Sequence, residues 1–193
     1  MTEYLERFQT IVQSQIQDPR FKITVNAAWS SNQADSRVKI RHHMADVDTS
    51  YFNRLQWAQL YDLNQRPFSD MGFLSISHCH LLGGYSFSTF QHGFDVEEIS
   101  RISDPSILRT SSEKERNLAP QIKMLWVAKE AAFKGMRESQ PAVITDLNCI
   151  LWEPTADPSI YSFQISTAKP ITFQRNKGFV MNTPFLLFAV YFF

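Results

Sequence analysis

Residues 2–17 place Leu5, Phe8, Ile11, Val12 and Ile16 at helical spacing, and Asp18-Pro19 closes the run, so the chain is predicted to open with an amphipathic helix. Phe21-Lys22-Ile23-Thr24-Val25 alternates like a strand. A polar stretch over 30–35 follows, and residues 38–44 fit a strand or a loop. Asp48 or Thr49 can cap a helix that carries Phe52, Leu55, Trp57 and Leu60 and runs to about Leu63. Two strands, 74–79 and 85–90, flank Gly83-Gly84, which reads as a hairpin turn.

The second half has a comparable order. A strand over 93–99 precedes a helix start at Asp104-Pro105, a capping signal in Ser112-x-x-Glu115, and a long helix from near Pro120. Ile122, Leu125, Trp126, Ala132, Phe133 and Met136 give that helix its apolar stripe. Strands are expected over 149–152, 161–165, 171–175 and 185–193. The last is too short to cross a bilayer as a helix and is read as a buried strand. Helix-then-sheet order in both halves implies an α+β fold.

Composition narrows the function classes. With 193 residues, 16 Phe, 4 Trp and only 6 Gly, the chain can bury a substantial core. Lys plus Arg equal Asp plus Glu at 19 each, so net charge offers no general attraction for nucleic acid or a membrane surface. Cys79 and Cys149 lie in apolar segments and read as reduced core residues. His42-His43, His78-Cys79-His80 and His92 lack the spacing of a zinc site. The amino terminus is acidic and amphipathic, unlike a signal peptide, and a cytoplasmic location is expected.

The candidate chemistry lies in two segments. In Gly93-Phe94-Asp95-Val96-Glu97 a strand would project both carboxylates from one face while Phe94 and Val96 enter a core. In Trp126-Val127-Ala128-Lys129-Glu130-Ala131-Ala132-Phe133-Lys134, Glu130 and Lys134 stand one helical turn apart. Three carboxylates and a lysine could meet there. Such an oxygen-rich set suits Mg²⁺, or Mn²⁺ in its place, together with a phosphate. Taken separately, the strand acids also fit a solvated edge, and Glu130 with Lys134 an exposed ion pair.

These segments resemble the 4′-phosphopantetheinyl transferase superfamily, whose signature is a Gly-x-Asp-x-Glu strand followed by a helix bearing Trp-x-x-Lys-Glu-Ala-x-x-Lys. Phe73-Leu74-Ser75-Ile76-Ser77-His78-Cys79 resembles the Ser-His motif of its larger, surfactin-synthetase-activating type, and Gln65-Arg66-Pro67 is similar to that type's Gly-Lys-Pro. The chain departs from the pattern in a shorter interval over 100–120 and in having Arg66 where lysine is usual.

The resemblance implies two packed α/β lobes related by a pseudo-twofold: residues 1–90 on the coenzyme A adenylate side and 91–193 on the metal and pyrophosphate side. It implies Mg²⁺-dependent transfer of 4′-phosphopantetheine from coenzyme A to a serine of an apo acyl or peptidyl carrier protein, as in fatty-acid or secondary-metabolite biosynthesis, by a monomer. Asp95, Glu97 and Glu130 would hold the metal, with Glu130, Lys134 and Asp95 as the catalytic set. Arg66, Ser77, His78, Lys129 and Lys134 would contact coenzyme A. Arg37, Lys39 and Arg41 are further phosphate or carrier contacts, or one solvated face. Two other readings remain: a Mg²⁺-dependent phosphohydrolase using the same residues on coenzyme A or a nucleotide, and a non-catalytic carrier-protein-binding module, which would keep the fold and lose the metal set, so that intact Asp95, Glu97, Glu130 and Lys134 argue against it.

Overall fold

The computed structural model describes residues 1–32, 35–47, 68–69, 72–136, 143–169 and 171–193. Helix α1 (Thr2–Ile16) buries Phe8, Val12 and Ile16, one stripe of the expected apolar face. It ends at Gln17, whose backbone is left-handed, just before Pro19. Strands β1 (Lys22–Asn26), β2 (Phe68–Ser69), β3 (Gly72–His78) and β4 (Gly83–Ser88) form an antiparallel sheet in the order β1-β4-β3-β2.

Two expectations in this half need correction. Residues 38–44 are neither strand nor loop but lie in helix α2 (Ser36–Val47). Ile40 and Met44, one turn apart, sink into a cluster with Trp29, Leu74, Tyr85 and Phe87. Burial at the helical period has won over the alternating charges of Arg37, Lys39 and Arg41. Gly83-Gly84 is not a turn, for both glycines open β4, and a Cβ on Gly83 would stand 2.2 Å from the Trp29 carbonyl oxygen. The turn lies just before them, closed by the Cys79 amide donating to the Leu82 carbonyl at 2.8 Å. The helix expected over 49–63 and the Gln65-Arg66-Pro67 motif lie outside the described residues.

A second antiparallel sheet comprises β5 (His92–Glu98), β6 (Asn148–Pro154), β7 (Ile160–Ser166), β8 (Lys177–Asn182) and β9 (Leu186–Phe192), ordered β5-β9-β8-β7-β6. Between β5 and β6 lie α3 (Asp104–Thr110), α4 (Glu113–Leu118) and α5 (Ile122–Gly135). Ser103 caps α3, and Ser112 with Glu115 forms the expected capping box on α4. The run at the carboxyl end is uniformly apolar because β9 is covered on both faces. Leu187, Ala189 and Tyr191 meet α5, whereas Leu186, Phe188, Val190 and Phe192 share a core with Phe8, Val12 and Ile16 of α1.

Residues 171–175 do not form the expected strand. Phe173 stacks on Phe193 with ring centroids 5.8 Å apart, and a left-handed backbone at Asn176 starts β8 afterwards. Strand β8, buried between β7 and β9, shows no alternation by which to read it. Among the described residues no helix is long and apolar enough to cross a membrane.

His92, at the start of β5, is buried, with Nε2 2.7 Å from the Ser86 hydroxyl and Nδ1 3.1 Å from the Phe90 carbonyl. Donation from Nδ1 to the carbonyl leaves Nε2 to accept from Ser86, which suits a neutral ring. Burial pushes its pKa down from 6.5 to about 4, against the opposing pull of Phe90 and Asp18. The unfolded chain therefore binds more protons between these values. The associated stability, about 3 kcal/mol, is complete above pH 6.5 and lost as pH falls to about 4. NMR titration is expected to show the His92 ring still neutral at pH 5, and a ring titrating near 6.5 would contradict this.

Candidate active site

Strand β5 is an edge strand of its sheet, paired on one side with β9. Its other side meets β3. There the amides of Phe94 and Val96 donate to the hydroxyls of Ser75 (2.9 Å) and Ser77 (3.2 Å). Two serines at strand period two thus satisfy backbone donors of the neighbouring sheet's edge. The motif alone gives Ser75 no role, although its place two positions before Ser77 puts it on the same face.

Along β5, Phe94 and Val96 enter the core beneath α1, while Gly93, Asp95 and Glu97 pair with Tyr191, Ala189 and Leu187 on the α5 side. The alternation read from the motif therefore holds. Gly93 has a specific reason to be glycine: a Cβ there would lie 2.0 Å from the Ala131 carbonyl oxygen and 2.3 Å from the Gly135 amide nitrogen. Its absence lets α5 rest directly on the strand, which brings Lys134 over Asp95. Replacing Gly93 with Ala is expected to push helix and strand apart, at a cost of about 3 kcal/mol. Chemical denaturation would measure it, and a loss near zero would mean that the helix does not bear on this residue.

The buried stripe of α5 is Met124, Leu125, Val127, Ala128, Ala131, Ala132 and Gly135. Ile122 and Phe133, expected in the stripe, are exposed. Small residues dominate because the backbones approach so closely, and a reading by size favoured the larger side chains.

Asp95 is 1% exposed. Its Oδ1 accepts from the Ser77 hydroxyl at 2.8 Å and from Lys134 Nζ at 2.5 Å, while Oδ2 is buried without a hydrogen-bond partner among the described residues. Lys134 also donates to Ser77 Oγ at 2.9 Å. The Ser77 hydroxyl thus spends its proton on Asp95 and both acceptor positions on Val96 and Lys134.

Glu97 and Glu130 complete the acidic neighbourhood. Burial, then the charge of Asp95, pushes Glu97 up to about 7, against Lys134 and a hydrogen bond from Trp126. Burial and Asp95 likewise raise Glu130, again against Lys134. The charge of Asp95 thus works against ionisation of both Glu97 and Glu130, and the Lys134 ammonium works for it. Among the described residues, no three His, Cys, Asp or Glu side chains are gathered closely enough to form a ready-made metal cage. The donor chemistry nonetheless fits a hard divalent cation, because among the described residues it is all carboxylate and includes Asp95 Oδ2 with no hydrogen-bond partner.

His78 is on the opposite face of β3 from Ser77, the face on which Leu74 and Ile76 pack toward the α2 cluster. Arg37 Nε of α2 donates to His78 Nε2 at 3.4 Å. Burial lowers the His78 pKa, and the charges of Arg37 and Lys134 lower it further, against its own backbone carbonyl and Asp95. Arg37, which the sequence offered only as one of a charged run, thus lies beside the Ser-His motif.

Lys129 does not face the site. It is 1% exposed, ion-paired to Glu115 Oε1 at 2.8 Å, and donates to the Thr110 carbonyl. The expectation of a phosphate contact there fails because one helical step turns Lys129 about a hundred degrees from Glu130, toward α3 and α4. Glu115 also accepts from the Ser112 and Cys149 amides. Although burial opposes ionisation, Lys129 and these amides hold Glu115 below the ordinary carboxylate range.

No family model matches the chain, and no curated protein matches it in sequence.

Proposed function

We propose that this protein transfers 4′-phosphopantetheine from coenzyme A to a serine hydroxyl of an acyl or peptidyl carrier protein, as a cytoplasmic monomer with its site between two lobes. The observation that carries this reading is the meeting of the Asp95 strand, the Glu130 and Lys134 helix and Ser77 around one buried, under-neutralised carboxylate. The order of motifs in the chain supports it.

In this reading Asp95, Glu97 and Glu130 would hold Mg²⁺. When bound, the ion supplies Lewis-acid neutralisation of the pyrophosphate. Lys134 places a further positive charge beside the leaving adenosine 3′,5′-bisphosphate, where charge grows in the transition state. Glu130 accepts the serine proton, directly or through a water, and its buried setting favours the protonated form that results. Ser77 is a positioning residue, since its one hydroxyl proton goes to Asp95 and none is left to donate to a phosphate oxygen. His78 and Arg37 serve the adenylate and 3′-phosphate end, which Arg66 joins on the strength of its motif alone. Positioning and electrostatics carry the catalysis, as in phosphoryl transfer generally.

Incubation with coenzyme A, Mg²⁺ and a panel of apo carrier proteins, followed by intact-mass measurement, tests the proposal. A carrier gaining one phosphopantetheine group is expected. Hydrolysis of coenzyme A with every carrier unchanged would favour a phosphohydrolase instead.

A further inference from the structure

We infer that Lys134 is a displaceable counter-cation for Asp95: its ammonium neutralises the buried carboxylate until a divalent cation takes that carboxylate, and is then released toward the substrate's phosphates. The inference rests on the metal reading of the same residues. Asp95 is 1% exposed, and Lys134 Nζ lies 2.5 Å from its Oδ1. The Lys134 side chain is 31% exposed, so the ammonium has a route to water that the carboxylate lacks. A lysine on a flexible four-carbon stem can make that move at small cost.

The surroundings favour exchange over simple addition. A divalent cation drawn to Asp95 Oδ2, which has no hydrogen-bond partner among the described residues, would meet the Lys134 ammonium as a like charge at the same carboxylate. Asp95 need not move during the exchange. Ser77 donates to its Oδ1 at 2.8 Å and is itself held by the Val96 amide at 3.2 Å, and neither bond involves Lys134. The departing ammonium gives up Ser77 Oγ as well, which leaves that hydroxyl with an acceptor position for water.

The test is Mn²⁺ binding by calorimetry, without coenzyme A, to the wild-type protein, Lys134→Met and Asp95→Asn. In parallel, acetylation of Lys134 in the wild-type protein is followed by mass spectrometry as Mn²⁺ is raised. Removal of the competing charge is expected to tighten Mn²⁺ binding by on the order of tenfold in Lys134→Met. Acetylation of Lys134 is expected to accelerate as Mn²⁺ saturates, while that of Lys169, exposed and ion-paired to Asp146, does not. Equal or weaker binding by Lys134→Met, or unchanged Lys134 reactivity, overturns the inference. If the wild type then still binds Mn²⁺ and Asp95→Asn does not, the metal reading survives the loss. Equal binding by wild type and Asp95→Asn, or no binding by either, sinks both. If Lys134→Met does not fold, the acetylation of the wild-type protein decides.

Discussion

Lys129→Met is expected to lose about 3–5 kcal/mol of stability, because it leaves the buried Glu115 carboxylate without its ion partner. The loss comes from stranding a charge, since Glu115 is 3% exposed and cannot turn to water. Its bonds from Ser112 and Cys149 soften the effect without cancelling it. The double variant Lys129→Met with Glu115→Gln should recover part of the loss, as the charge is then removed with its partner. Urea denaturation measures both. A loss below about 1 kcal/mol for the single variant would show the pair to be solvated. Denaturation together with a transfer assay on Lys129→Met separates two uses of the motif's lysine: a phosphate contact would damage turnover with little effect on stability, and a strut beneath α4 would do the reverse.

Asp95→Asn is expected to lower transfer by on the order of 10³-fold while leaving the fold in place. The amide has the carboxylate's shape, and Lys134 is exposed enough to find water once its partner is neutral. Stability should change little or rise, because the charge removed is buried and one of its oxygens is unpaired among the described residues. Turnover within a few-fold of wild type at limiting Mg²⁺ would remove Asp95 from the mechanism, and unfolding would mean that its charge is structural. Glu130→Gln should lose a comparable factor, since it removes a ligand and the proton acceptor together.

The parts of the site legible in the sequence are those that a single period governs. Alternation along β5 placed Asp95 and Glu97 on one face, and one helical turn placed Glu130 and Lys134 together. What could not be read depends on partners far along the chain. Nothing local distinguishes Lys129 from a surface lysine, because its partner is Glu115, a capping residue of another helix. Strand β8 lacks a pattern because both its faces are covered, and α2 showed a strand-like charge alternation that its helical burial overrode. Gly83 and Gly84 were misread for a related reason. Glycine marks a turn or a close approach equally well, and here the backbones of Trp29 at Gly83 and of Thr24 at Gly84, each more than fifty residues earlier, make the approach. The role of Ser77 was the least visible, as it emerges only when β3 is set against the edge of β5.

The central claim is that these carboxylates serve group transfer to a protein. Its most direct measurement is the ratio of holo carrier protein to adenosine 3′,5′-bisphosphate formed from coenzyme A and Mg²⁺, for wild type and for Asp95→Asn. The account predicts one bisphosphate released for each carrier modified, and the loss of both products together in the variant. Bisphosphate without holo carrier, or products from Asp95→Asn at the wild-type rate, would contradict it.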